Sequence, residues 1–186
     1  MTIQHKLITN ADLHEPKGVS AAANKTVYVA NGSGSGAWTA PNAVANVYIA
    51  FNSSSPGYTQ ANTTSDVILD PTWVSGVISD FTVQTSPNAR LRYDGTDTKN
   101  VNITLAMACN QASGSNKNVE FALFKNGTEI TGSRSIRTTT TSDWGNITVV
   151  GSTTMATNDY IEIKSKTSAS ATIQYASLSL RVLGAV

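Results

Sequence analysis

The chain has 186 residues, enough for one domain of ordinary size plus an appendage and too few for two comfortable domains. Charged residues make up 13%, about half the usual share, while 25 Thr, 21 Ser and 16 Asn give a surface rich in hydroxyls and amides. A net charge of +1, with Lys and Arg scattered along the chain, excludes the electrostatic footprint of a nucleic-acid or anionic-membrane partner.

Residues 1–42 carry scattered apolar side chains, one strand-like run at Thr26–Ala30, and the tract Gly32-Ser33-Gly34-Ser35-Gly36 ahead of Trp38 and Pro41. Such a segment cannot bury enough surface to offset its ordering entropy, so it reads as an attachment arm and linker. The glycine tract lacks the trailing Lys-Ser/Thr of a phosphate loop and precedes no helix, which leaves a linker. No apolar h-region follows Met1–Lys6, and no run approaches the roughly 18 apolar residues of a membrane span. A soluble protein without an export signal is expected.

Residues 43–186 show period-two patterning broken by Gly, Asn, Asp, Ser and Pro clusters. Strands are expected in chain order at Asn46–Phe51, Asp66–Leu69, Phe81–Gln84, Ala89–Tyr93, Val101–Cys109, Val119–Lys125, Glu129–Arg137, Asn146–Val150, Tyr160–Lys166 and Thr172–Leu183. In Val101–Cys109 the odd positions are apolar, and Cys109 closes the run on that face as a small buried hydrophobe. A single cysteine excludes an intrachain disulfide framework, so packing or subunit association must supply stability. Asn126-Gly127 tolerates the positive φ angles of a type I′ turn and predicts a hairpin there. In the last strand the apolar parity changes from Ile173 and Tyr175 to Leu178, Leu180 and Val182, which predicts a β-bulge near Ala176–Ser177.

Many short strands and almost no helix predict an all-β, antiparallel jelly-roll β-sandwich over 43–186, preceded by the extended arm. The stretch 42–78 is open between first strands of the sandwich and a stalk. Tyr48, Phe124 and Tyr160 lie opposite the apolar positions of their strands. Something outside the core is expected to cover them, and a symmetric homo-oligomer interface is the expected cover.

No catalysis, metal or cofactor is expected. His5 and His14 are the two histidines, both in the arm, and neither a zinc-protease pattern nor a nucleophile elbow occurs. The twelve acidic residues are spread thinly, which disfavours a paired-carboxylate glycosidase. Asp94 and Asp97 read as hydrogen-bonded turn residues, and Trp144 beside Asp143 as a closure of the sandwich edge.

The stretch 79–186 resembles the trimeric TNF/C1q-like jelly rolls found in phage virion proteins. The resemblance is carried by Tyr93-Asp94-Gly95, the Val101–Cys109 strand, Val119 through Lys125-Asn126-Gly127-Thr128, Asn158-Asp159-Tyr160-Ile161-Glu162-Ile163, and the closing strand Thr172–Leu183. His14-Glu15-Pro16-Lys17-Gly18, then Val27-Tyr28-Val29-Ala30-Asn31-Gly32 and the tract ending at Trp38, is similar to the leader of phage head-decoration and head-fibre proteins. Together these imply a structural virion protein on the outer capsid surface: a homotrimeric decoration, or cement/head-fibre, protein. Its arm would bind the phage major capsid protein through Leu13, His14, Glu15, Pro16 and Lys17, with Val27, Tyr28 and Val29 adding a strand and Trp38 as anchor. The alternative is a receptor-binding tail-fibre tip or adhesin whose loops Ser113–Asn118 and Thr138–Trp144 bind host surface glycans.

Overall fold

The structure, a computed structural model, describes residues 27–30, 36–39, 43–49, 56–85, 88–141 and 143–184. The chain separates into two units that divide after Pro41. In the first, β1 (Val27–Ala30) pairs antiparallel with β2 (Gly36–Thr39), with Val27 opposite Thr39 and Ala30 opposite Gly36.

The second unit is built from β3 (Val44–Tyr48), β4 (Tyr58–Asn62), β5 (Val67–Ile68), β6 (Val74–Ser79), β7 (Phe81–Gln84), β8 (Arg90–Tyr93), β9 (Lys99–Gln111), β10 (Lys117–Lys125), β11 (Thr128–Glu129), β12 (Ser135–Thr139), β13 (Gly145–Met155), β14 (Tyr160–Thr167) and β15 (Ala171–Gly184). A six-stranded sheet runs β13-β9-β15-β3-β6, with β4 also on β15. A seven-stranded sheet runs β11-β10-β14-β8-β7, with β12 on β10 and β5 on β14. From β8 onward the chain changes sheets at β8→β9, β9→β10, β12→β13, β13→β14 and β14→β15, which is the winding of a jelly roll. Because β3, β4 and β6 join one sheet and β5 the other, the stretch left open in the sequence belongs to the sandwich.

Alternation decides what fills the space between the sheets. Val101, Ile103, Leu105 and Met107 of β9 point inward, as do Val119, Phe121 and Leu123 of β10, and all are buried. Phe121 meets Tyr175 edge-on across the core, with centroids 6.2 Å apart. Cys109 is fully buried as expected, and burial pushes its thiol up to about 11, although Arg137 pulls the other way. The pairing of β15 with β9 shifts between Tyr175 and Ser177. That bulge lets Ile173 and Tyr175 on one side, and Leu178 and Leu180 on the other, all face the core.

Asn126 and Gly127 have φ of 49° and 80° and join β10 to β11, the hairpin expected from Asn-Gly. The strand expected at Glu129–Arg137 is broken after Glu129 and resumes at Ser135. The cause lies at Leu123: its carbonyl accepts from the Ile130 N–H at 2.8 Å and its N–H donates to Ser133 Oγ at 3.1 Å. A buried hydroxyl thus replaces a rung of the ladder while Ile130 turns inward.

Three of the motifs that carry the jelly-roll resemblance, Tyr93-Asp94-Gly95, Lys125-Asn126-Gly127 and Asn158-Asp159-Tyr160, converge on one knot of turns. Tyr93 N–H donates to the Asp159 carbonyl and Asn158 N–H to the Tyr93 carbonyl, both at 2.8 Å. Asn126 Nδ2 donates to Asp159 Oδ1 at 2.6 Å, and Asn126 Oδ1 accepts from Tyr160 N–H at 2.9 Å. A side chain at Gly95 would collide with the Tyr93 ring, whose hydroxyl donates to the Asp97 carbonyl at 2.7 Å.

At Asp159 burial opposes ionisation, yet the Lys125 ammonium at 2.8 Å, the Ala156 N–H and the Asn126 amide outweigh it and hold the carboxyl below its ordinary range. A carboxyl depressed in the folded state stabilises above its unfolded pKa of about 3.9, and that contribution is lost as pH falls through the folded value. Asp159→Asn is therefore expected to cost about 1–3 kcal/mol near neutral pH and progressively less in acid. Urea unfolding across pH measures this, and an equal cost at both ends of the range would contradict it.

Candidate functional site

The arm residues expected to touch a capsid divide in two. Leu13, His14, Glu15, Pro16 and Lys17 lie outside the described residues. Val27, Tyr28, Val29 and Trp38 lie in the β1–β2 hairpin, where Tyr28 is directly opposite Trp38 and the two rings meet edge-on at 5.4 Å. This differs from the sequence expectation of one lone strand and a glycine linker. Gly36 is already in β2, and β1 has a partner within the chain along one edge. Tight pairing of short runs such as Gly-Ala-Trp-Thr carries almost no periodic signal, so β2 was missed.

The three aromatics expected between subunits also separate. Tyr48 stands outward on the six-stranded sheet, 40% exposed. Phe124 is 6% exposed and Tyr160 is half-buried, on the outer face of the other sheet. The Lys164 ammonium sits 4.2 Å over the Phe124 ring, and the Arg90 guanidinium 4.2 Å over the Tyr160 ring. Register explains both contacts: Phe124 is opposite Glu162, which puts Lys164 on the diagonal, and Tyr160 is opposite Arg92, which puts Arg90 there. Within one subunit the chain's own cations lie over these two rings.

The two outer faces of the sandwich are chemically opposite. Every ion pair among the described residues lies on the seven-stranded sheet or its loops. Arg134 alone engages Glu129, Asp66 and Glu120 at 2.6, 3.1 and 3.3 Å, and Lys166 reaches Glu120 at 3.2 Å. Burial opposes but does not outweigh the Glu129 and Asp66 hydrogen bonds, which push the Arg134 guanidinium further up. The six-stranded sheet presents short neutral side chains instead. Across it run the rows Thr148–Ala106–Ser179–Tyr48–Val74 and Val150–Thr104–Arg181–Asn46. Among its described outward positions Arg181 is the one charge, whereas Val77, Val150 and Leu183 are exposed at 68%, 59% and 38%.

Asp94 accepts from Arg92 Nε at 2.6 Å and from the Thr82 hydroxyl, as a turn residue does. Among the described residues no three His, Cys, Asp or Glu side chains are grouped to hold a metal. Trp144 is 43% exposed at the start of β13.

Two antiparallel sheets wound in this order make a TNF-like jelly roll. No protein-family model and no curated protein matches the chain. Among solved structures it is similar to Eiger TNF from S. frugiperda, with a TM-score of 0.51 and 8% identity over 78% of this chain and 94% of that one. It is also similar to murine APRIL, with a TM-score of 0.48 and 14% identity over 78% of this chain and all of that one. At such identities the likeness is one of fold.

Proposed function

We propose that the chain is a structural virion protein: a homotrimer that decorates the outer surface of a phage head, anchored to the major capsid protein by its N-terminal unit. The observation that carries this reading is the contrast between the two outer faces. A sheet face of Thr, Ser, Ala and Asn with Tyr48, Val150 and Leu183 exposed can pack against copies of itself at small desolvation cost, while the ion-paired face stays in water. The likeness of the arm to head-decoration leaders supports the attachment role, and a separate hairpin unit suits an element completed by another protein. Three arms on one trimer multiply weak contacts through effective concentration.

Deleting residues 1–41 is expected to leave the oligomer intact and to abolish co-sedimentation with purified empty capsids. Binding that survives the deletion would remove the arm from the account, and labelling confined to the tail of the virion would end the head-decoration reading.

A further inference from the structure

Asn126-Gly127 is the one Asn-Gly step among the described residues. Such a step can modify itself, and asparagine is among the thermolabile side chains. The Gly127 N–H gives its proton to solvent base and the nitrogen attacks Asn126 Cγ. The Cγ–Nδ2 bond breaks, and Nδ2 leaves as ammonia with a proton returned from water. Water then opens either carbonyl of the five-membered succinimide and gives aspartate or isoaspartate, so solvent is the only co-reactant. Glycine in second place has no Cβ to obstruct the ring closure.

Burial does not protect this step. Asn126, Gly127 and Thr128 are all exposed, and a Cβ built on Gly127 would meet nothing within 4 Å. What holds the amide is its pair of hydrogen bonds. Nδ2 donates to Asp159 Oδ1 at 2.6 Å and Oδ1 accepts from the Tyr160 N–H at 2.9 Å, so both ends of the amide are tied to the β13–β14 turn. The backbone is held there too, because the Asn126 N–H donates to the Tyr160 carbonyl at 3.1 Å. Asp159 is itself anchored, with Oδ2 meeting the Lys125 ammonium and the Ala156 N–H, each at 2.8 Å. For Cγ to reach the Gly127 nitrogen, the side chain must rotate and give up both bonds, one of them to an ionised carboxylate.

The product does not fit the same contacts. Replacing Nδ2 by an oxygen removes the donor and sets a second carboxylate against Asp159 Oδ1, with the Lys125 ammonium already given to Asp159. An isoaspartate also adds a methylene to the backbone of a two-residue turn whose φ angles are 49° and 80°.

We infer that Asn126 is a latent deamidation site: the folded turn withholds it from reaction, and opening that end of the sandwich lets it convert to a form in which the knot does not close. The inference concerns the sandwich and does not depend on attachment to a capsid.

The test follows aspartate and isoaspartate at position 126 by mass-spectrometric peptide mapping, in full-length protein incubated in mild alkali with and without concentrated urea. Loss of the asparagine is expected to be slower by about tenfold or more in the folded protein, since two hydrogen bonds must break before the ring closes. This comparison needs no variant, so it decides the matter even if Asp159→Ala fails to fold. Asp159→Ala is expected to recover most of the difference without urea. Ile173→Val, a change in the buried core of β15, is expected to keep the wild-type rate, which separates the local bonds from general loosening. Asn126→Asp stands in for the product and is expected to lower Tm by about 4 °C or more at neutral pH. Equal rates with and without urea, a native rate unmoved by Asp159→Ala, an equal acceleration in Ile173→Val, or an unshifted Tm in Asn126→Asp would each overturn the inference.

Discussion

Arg90→Ala is expected to lower the unfolding free energy by about 3–5 kcal/mol, a core-sized loss from an outward-facing residue. Glu162 is 2% exposed although it lies on the outer face of β14, because Arg90 lies across it with Nε 2.6 Å from Oε1. Its next cation, Lys164, is 4.0 Å away and is committed to the Phe124 ring. Truncating Arg90 strands a carboxylate among aromatic and aliphatic groups, where the remaining field cannot replace the hydrogen bond. It also uncovers Tyr160, adding about 0.5–1 kcal/mol from the lost cation–ring contact. The double variant Arg90→Met with Glu162→Leu removes both charges together and is expected to recover most of the loss, since apolar replacement of a buried pair is often neutral. Chemical denaturation of the three proteins at neutral pH checks this, and a single-variant loss below about 1 kcal/mol would place the pair among ordinary surface bridges.

That same layer marks where sequence reasoning stops. Features set by near neighbours in the chain were legible: the Asn126-Gly127 hairpin, the inward face of Val101–Cys109, and the bulge signalled by the parity change after Tyr175. Features set by cross-strand register were not. Whether Phe124 is bare depends on Lys164 forty residues on, and whether Tyr160 is bare depends on Arg90 seventy residues back. The period of a strand says which way a ring points but not what lies diagonally beside it. The strands β4 and β6 were missed because Tyr58–Asn62 and Val74–Ser79 mix polar and apolar positions, with Gly76 interrupting the second.

Ala106→Arg is expected to convert a homotrimer into monomer at micromolar concentration while leaving the fold of each subunit intact. Ala106 is exposed near the middle of the neutral face, flanked by Thr148 on β13 and Ser179 on β15. An arginine there reaches solvent in the isolated chain, so its cost to folding stays within about 0.5 kcal/mol. Packed against a second copy it becomes a buried cation with hydroxyls and small aliphatic groups around it and no carboxylate on the outward positions of the sheet to pair with. Desolvating it costs several kcal/mol in each subunit. The Arg181 already on that face adds like-charge repulsion. Tyr48→Asp is expected to act the same way through the opposite charge, whereas Phe124→Asp, on the cation-covered face, is expected to lower stability without changing the oligomer. The pattern distinguishes the two sheets: light scattering on the four proteins reads mass, and thermal unfolding reads stability. A wild-type monomer would remove the trimer from the account. A trimer that survives Ala106→Arg but falls apart with Phe124→Asp would move the interface to the ion-paired sheet.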